Sequence, residues 1–472
     1  MSVSELARTS ALGERPPAPI PNEKPLGPLP FLLRFWRNPL ATWTRFNFEW
    51  PITQADGVLG RVAVVCEPNA IRRVLIDNVA NYRKDALQLR VLSPGLGDGL
   101  LTAEGADWRK QRRALAPLFT PRMVEVFTPA MIASAQWLME RWSPLRSGRR
   151  IDIAGEMSMA ALEVLQRTIF PTGLARDPRD YVRALTDFVN SVGRLHPFDL
   201  IGAPEWLPRL GKQSATPPLK FFNEAVDDII AKRRAGEVNA QSASGGAPRD
   251  LLTMLLDARD PQTGEGLTEE EIRANIITFI AAGHETTANA LTWSLFLLSR
   301  HPAWRDEVES EVDAVLGERP IEAAQIESLP RVRATLDEAM RLYPPAPSLS
   351  REAIAADTLA GEKIQAGTLV VIPPYVLHRH KTLWRDPDHF DPTRFMPGQR
   401  EAIDRFAYLP FGAGPRTCIG MGFALQEAVI FLATIVRHYR FDLAPGHRVA
   451  PVQRLTLRPK GGMPMILKRR GN

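Results

Sequence analysis

The longest unbroken hydrophobic pattern in the chain runs from Leu267 to Arg300, "LTEEEIRANIITFIAAGHETTANALTWSLFLLSR". Thr268 and Glu271 have the spacing of a capping box, and Leu267 and Ile272 sit where a hydrophobic staple would fix the start of a helix. The following stretch is apolar on almost every side for roughly 30 residues, about 45 Å of helix at ~1.5 Å per residue. Such a helix belongs inside the core of a large protein. Arg273, Asn275, His284 and Glu285 interrupt it, which argues against a membrane span. The polar run Gly283-His284-Glu285-Thr286-Thr287 is costly there, because buried polar groups need partners. A threonine hydroxyl can bond the carbonyl four residues back, and Gly283 permits a local opening of the helical ladder.

Amphipathic stretches at Trp108–Phe119, Met131–Leu145 and Ala160–Ile169 predict further helices. Two more are predicted in "VRATLDEAMRLYPPAP", halted by Pro344 and Pro345, and in the apolar run that follows Cys418. β-branched "GRVAVVCEP", from Gly60, reads as a buried strand, with Cys66 as a small core hydrophobe. Leu359 to Ile372 reads as a hairpin leading into a β-branched strand, and the polar, glycine-rich segment from Arg234 to Arg249 as an exposed connector. Residues 1–30 carry seven prolines from Pro16 onward and read as an extended arm. No repeat or boundary divides the rest, so the expectation is a mainly α chain with small β-sheets, one domain over residues 31–472.

Composition narrows the classes. Hydrophobic residues make up 44% and charged ones 24% of the 472, as in a soluble globular protein with a sizeable core. The net charge of +6 is a modest excess; it suits an acidic partner, and nothing resembles a basic stripe for nucleic acid. The N-terminal segment has neither a signal peptide nor a membrane anchor to read, and two distant cysteines give no disulfide framework and no zinc spacing. A reducing, cytoplasmic setting is the expectation.

Cys418 lies in "FGAGPRTCIG", between glycines and a helix start. Backbone N–H groups and the positive end of the helix dipole favour a thiolate there, and Arg416 adds positive charge. Gly412, Gly414 and Gly420 would let the backbone turn sharply and approach a flat ligand closely. A phosphatase-type loop would need arginine where Ala424 stands. On these residues alone, a buried structural cysteine remains an alternative to a ligand or nucleophile.

The spacing F-x-x-G-x-R-x-C-x-G, met by Phe411, Gly414, Arg416, Cys418 and Gly420, resembles the haem-binding loop of the cytochrome P-450 family. Further segments are similar to that family's motifs in order: Trp108-x-x-x-Arg112, "AGHETT", Glu338-x-x-Arg341, and "FDPTRF" with Arg394. The resemblance implies the family's triangular prism fold and makes Cys418 the proximal ligand of haem b. It assigns Trp108, Arg112, Arg351 and Arg416 to the haem propionates, Thr286 and Glu285 to proton delivery, and Glu338, Arg341 and Arg394 to a structural charge network. Read alone, Glu338 and Arg341 would be an ordinary i,i+3 surface pair worth about 0.3 kcal/mol.

The implied activity is a monooxygenase that takes O2 and NAD(P)H electrons, delivered by a separate ferredoxin or flavodoxin with its reductase. Arg109, Lys110, Arg112 and Arg113 form a basic cluster where an acidic donor would dock, or else a solvated face. A haem-thiolate peroxygenase or isomerase would dispense with the acid and alcohol, and a haem sensor would show no turnover. Substrate contacts would fall near Leu87–Leu100 and at Phe279, Ala282, Pro347, Leu349, Leu455 and Thr456, largely apolar positions that imply a hydrophobic small molecule. "AGHETT" also resembles the motif of fatty-acid hydroxylases.

Overall fold

A computed structural model describes residues 14–169, 180, 183–184, 186–187, 196–200, 216–234 and 250–471. Its principal helices are α1 (Pro28–Arg37), α2 (Ala86–Leu96), α3 (Gly105–Leu115), α4 (Pro121–Trp142), α5 (Ile153–Ile169), α6 (Thr216–Arg234), α7 (Glu269–Arg300), α8 (Pro302–Leu316), α9 (Pro330–Leu342) and α10 (Met421–His438). The strands are β1 (Ile52–Gly57), β2 (Gly60–Val65), β3 (Tyr82–Arg83), β4 (Arg150–Asp152), β5 (Leu349–Ala353), β6 (Asp357–Leu359), β7 (Glu362–Ile364), β8 (Leu369–Ile372), β9 (Tyr439–Leu443), β10 (Pro451–Gln453), β11 (Leu457–Pro459) and β12 (Pro464–Arg469).

The capping box closes at both ends. Thr268 Oγ1 accepts the Glu271 N–H at 3.2 Å, and the Glu271 carboxylate accepts the Thr268 N–H at 2.8 Å. From there α7 runs through the core, packed along α5 and against α9 and α10. It is continuous across Gly283, so the local opening that glycine permits is not used. Leu165 of α5 lies 3.5 Å from where a Gly283 Cβ would be, an ordinary contact.

Helix α4 begins ten residues before the apolar stretch that predicts it, with Pro121 in its first turn, and it carries Pro129 inside. It ends at Trp142, short of the expected Leu145, whose carbonyl accepts a bond from Arg469 of β12 at 3.1 Å. Helix α10 is the one described helix long and apolar enough to cross a membrane, yet it is packed against α4 and α7 in the core.

Five strands form a mixed sheet in the order β1-β2-β8-β5-β3, with β2 and β8 parallel and the other pairs antiparallel. The expected hairpin from Leu359 to Ile372 is two separate features. Ala360 and Gly361, at φ of 45° and 87°, turn β6 back onto β7. Gly367, at φ 76°, then redirects the chain so that β8 joins the larger sheet. Smaller antiparallel sheets pair β4-β12-β9 and β10-β11.

The proline-rich arm gives way to helix earlier than expected, at Pro28. Before that it lies on the body: the Asn22 N–H donates to the Trp43 carbonyl at 2.9 Å, and Tyr343, stacked on Trp293 of α7, donates to the Pro17 carbonyl at 2.9 Å. Residues 235–249, the expected connector, lie outside the described residues.

Candidate active site

The loop that carries Cys418 is shaped by two glycines used differently from a third. Gly412 and Gly414 have φ of 70° and 73°. A Cβ on Gly414 would sit 2.0 Å from the Leu75 carbonyl oxygen, so this glycine is required by neighbouring backbone, not by approach to a ligand as its spacing suggests. Gly420 has ordinary φ of −88° and open space where a side chain would begin. The Cys418 N–H donates to the Phe411 carbonyl at 2.9 Å, and α10 starts three residues later. Its thiol is accessible on one side and surrounded by protein on the others. Burial among those atoms raises the thiol pKa, while the Gly420 backbone and Arg112 pull it down without reversing the shift. The backbone at the helix start favours the thiolate as expected but is outweighed by burial, and a bound cation would tip the balance.

Arg416 does not act as the charge beside the thiol. Its guanidinium lies over the Trp108 ring at 4.3 Å and donates to Glu104 at 2.8 Å. Arg112, one turn along α3 from Trp108, is the cation that reaches Cys418. Burial lowers the pKa of Arg112, Arg351 and Arg416, the last to about 10, with Glu104 opposing in the latter two.

A fourth cation is invisible in the sequence pattern. Lys84 is 5% exposed and donates to the carbonyls of Leu101 at 2.5 Å and Ala103 at 3.2 Å. Burial brings its pKa down to about 7, helped by Arg416 and Arg351 and opposed by Glu104. Glu104 is the carboxylate common to Lys84, Arg351 and Arg416, and Asp85 is the other that acts on Arg351. The shortage of negative charge marks the cluster as a receptor for an anion.

Helix α7 supplies the polar pair. Phe279, Ala281, Ala282, Gly283 and Thr286 remain accessible, and all but Ala281 form a stripe at i, i+3, i+4 and i+7. Thr286 Oγ1 donates to the Ala282 carbonyl at 2.6 Å. Glu285 points elsewhere: Oε1 is 3.6 Å from the Arg458 guanidinium on β11, and Oε2 makes no hydrogen bond among the described residues. Burial raises its pKa, and Arg458 and the Thr456 hydroxyl partly offset this. His284 is buried too, with no well-formed hydrogen bond at either ring nitrogen, and burial pushes its pKa down to about 4 against the Ser158 backbone. It is neutral at physiological pH.

The third element is fully buried. Arg341 donates to both oxygens of Glu338, at 2.6 and 2.8 Å, and to the carbonyls of His378, Pro387 and His389 at 2.7, 2.7 and 2.8 Å. Glu338 also accepts the Asp391 N–H at 2.7 Å, and Arg394 stands 3.8 Å from it. This is no surface pair: both Glu338 and Arg341 are 0% exposed.

The sequence profile described as Cytochrome P450 matches residues 45–465. The chain belongs to the cytochrome P450 family. Among curated relatives, it is 32% identical to cyclooctat-9-en-7-ol 5-monooxygenase of Streptomyces melanosporofaciens, covering 93% of each chain. It is 32% identical to the bifunctional cytochrome P450/NADPH–P450 reductase 2 of Bacillus subtilis strain 168, over 93% of this chain and 42% of that protein. Among solved structures, the cytochrome P450DA heme domain superposes with a TM-score of 0.79 at 27% identity, covering 97% of this chain and 99% of that one. The protein is thus a cytochrome P450 monooxygenase with the mainly helical fold of its family.

Family membership implies haem, and the residues present fit it. An accessible thiol beside the open space at Gly420 suits a residue that would hold a haem iron. The cluster of Lys84, Arg112, Arg351 and Arg416 suits two propionates.

Two expectations need correction in this P450. Of the pocket positions, Phe279, Ala282, Leu349 and Leu455 are accessible, but Pro347 and Thr456 are buried. Thr456 accepts a bond from Asn289 at 3.3 Å and faces α7, so it is not available to substrate. The basic cluster on α3 is also largely committed. Lys110 pairs with Glu271 at 2.9 Å, Arg113 makes a two-pronged bond to buried Asp260, and Arg112 turns toward Cys418. Arg109 alone of the four is exposed and outside these pairs, too little for a docking patch on that helix.

Proposed function

We propose that this P450 hydroxylates a hydrophobic small molecule, with Cys418 holding the haem iron and Thr286 and Glu285 handling protons. The accessible stripe on the otherwise buried α7 carries this reading. Phe279 and Ala282 offer an apolar wall to the substrate, and Leu349 and Leu455 extend it from β5 and from the turn between β10 and β11. Haem, when bound, supplies the oxygen activation.

The residues of the chain do the rest. Lys84, Arg112, Arg351 and Arg416 hold the propionates, and Trp108 supports Arg416 by lying under it. The Thr286 hydroxyl donates to Ala282 and keeps its lone pairs free to accept a proton donor from the cleft. Glu285 is the nearest acid in sequence and carries an oxygen not engaged in any described bond. Glu338, Arg341 and Arg394 hold α9 to the segment that leads into the cysteine loop.

Electrons from NAD(P)H are proposed to arrive through a ferredoxin or flavodoxin and its reductase, as the family resemblance implies. Thr286→Ala should divert oxygen use into peroxide several-fold relative to product; unchanged coupling would remove Thr286 from proton delivery. Spectral titration with fatty acids, aromatics and terpenoids, cyclooctat-9-en-7-ol among them, would define the substrate class. Tight binding only by polar, charged compounds would overturn the hydrophobic reading.

A further inference from the structure

Successive residues of an α-helix point about 100° apart, so Glu285 and Thr286 cannot face the same wall of α7. Thr286 lies on the accessible stripe with Ala282, while Glu285 shares its face with Asn289, four residues on. That second face is covered by the β10-β11 hairpin. Asn289 Nδ2 donates to Thr456 Oγ1 in its turn, and Arg458 of β11 approaches Glu285 Oε1 at 3.6 Å. The acid expected to serve Thr286 is therefore held from behind.

The hold is one-sided. Oε2 of Glu285 is buried without a partner among the described residues, whereas Oε1 has Arg458. A carboxyl with one oxygen paired and one unclaimed has a free oxygen on which to take a proton. Arg458 is the one charged group acting on it from the packed elements. The Thr456 hydroxyl and the Asn289 amide are neutral, and the adjacent His284 ring is buried toward Ser158 on α5.

We propose that Arg458 is a positioning residue that holds Glu285 on the hairpin side of α7 and sets when this acid carries a proton. Proton delivery then has two settings. With the contact to Arg458 intact, Glu285 is ionised and turned away from Thr286. Once it takes a proton from solvent at Oε2, the attraction to Arg458 is lost, and the carboxylic acid is free to turn and donate that same proton toward the Thr286 side of the helix. Deprotonated, it returns to Arg458. The hairpin that supplies Arg458 also presents Leu455 at its turn, so the latch sits on the element proposed to contact substrate. Burial raises the pKa of the acid, and Arg458 opposes that rise.

This proposal rests on Glu285 serving proton delivery, and the test separates the two claims. The resting holoenzyme of wild type, Arg458→Gln and Arg458→Lys would be titrated by infrared difference spectroscopy, following the protonated carboxyl band that Glu285→Gln removes. The pH profile of peroxide release would be recorded in parallel. Removing an opposite charge at this range should raise the midpoint of the band in Arg458→Gln by about one pH unit or more. The peroxide profile should shift the same way, and Arg458→Lys should restore both toward wild type. Identical midpoints in wild type and Arg458→Gln would overturn the latch. Unchanged coupling in Glu285→Gln would instead overturn the proton-delivery role, while the infrared midpoint still reads the contact with Arg458.

Discussion

Glu338 and Glu285 are both buried and both face an arginine, and they are finished to different degrees. Glu338 has both oxygens engaged by Arg341, accepts a further backbone N–H from Asp391, and is sealed from solvent. Arg341 spends its remaining donors on three carbonyls. Glu285 has one oxygen at 3.6 Å from Arg458 and the other unbonded. A buried ion pair repays desolvation only when its geometry is good and its remaining hydrogen-bond sites are filled. The first pair meets that condition, as a scaffold requires; the second does not, and its incompleteness leaves free the oxygen proposed to carry a proton. Completeness of bonding distinguishes the roles where residue type cannot.

Breaking the finished pair should cost most. Glu338→Gln leaves Arg341 buried without its counter-charge, and about 3–5 kcal/mol of stability should be lost, read as the midpoint of urea unfolding. A shift no larger than that of a surface charge would place the network outside the scaffold. Glu285→Gln should behave oppositely. Replacing a half-paired carboxyl by a neutral amide should leave stability within about 1 kcal/mol of wild type, while the fraction of oxygen released as peroxide rises. A loss as large as that of Glu338→Gln would erase the contrast.

Lys84 offers a smaller, pH-dependent test. In the chain freed of haem its pKa is brought to about 7 from an ordinary 10.5, so between these values the unfolded chain binds a proton that the folded chain does not. Stability from this site should therefore rise as pH rises through that window and be lowest below it. Lys84→Met should flatten the rise in unfolding midpoint, and an unaltered slope would show that the amine is not held in this way.

The cysteine loop, the polar run in α7 and Glu338-x-x-Arg341 were legible because each is a local string whose spacing survives without the fold. The central helix was legible for a similar reason, since its capping box and apolar surround are written in consecutive residues. Lys84 and Arg458 were not. Each acquires its role from carbonyls or carboxylates contributed by distant segments, Leu101 and Ala103 in one case and Glu285 in the other. The basic run on α3 misled for the same reason, because Asp260 and Glu271 that claim its charges lie some 150 residues away in sequence. Direction around a helix was equally hidden: adjacent letters Glu285 and Thr286 suggest a pair, yet they belong to different faces. Gly414 shows the converse, a motif glycine whose need comes from the Leu75 carbonyl and not from a ligand.

The proposed oxygen chemistry depends on Cys418 being the iron ligand. The most direct measurement is the absorption spectrum of the reduced carbon monoxide complex of wild type and of Cys418→Ala. Wild type should show the red-shifted Soret band of thiolate ligation, and Cys418→Ala should lose it while retaining helical content by circular dichroism. Persistence of that band in Cys418→Ala would contradict the assignment.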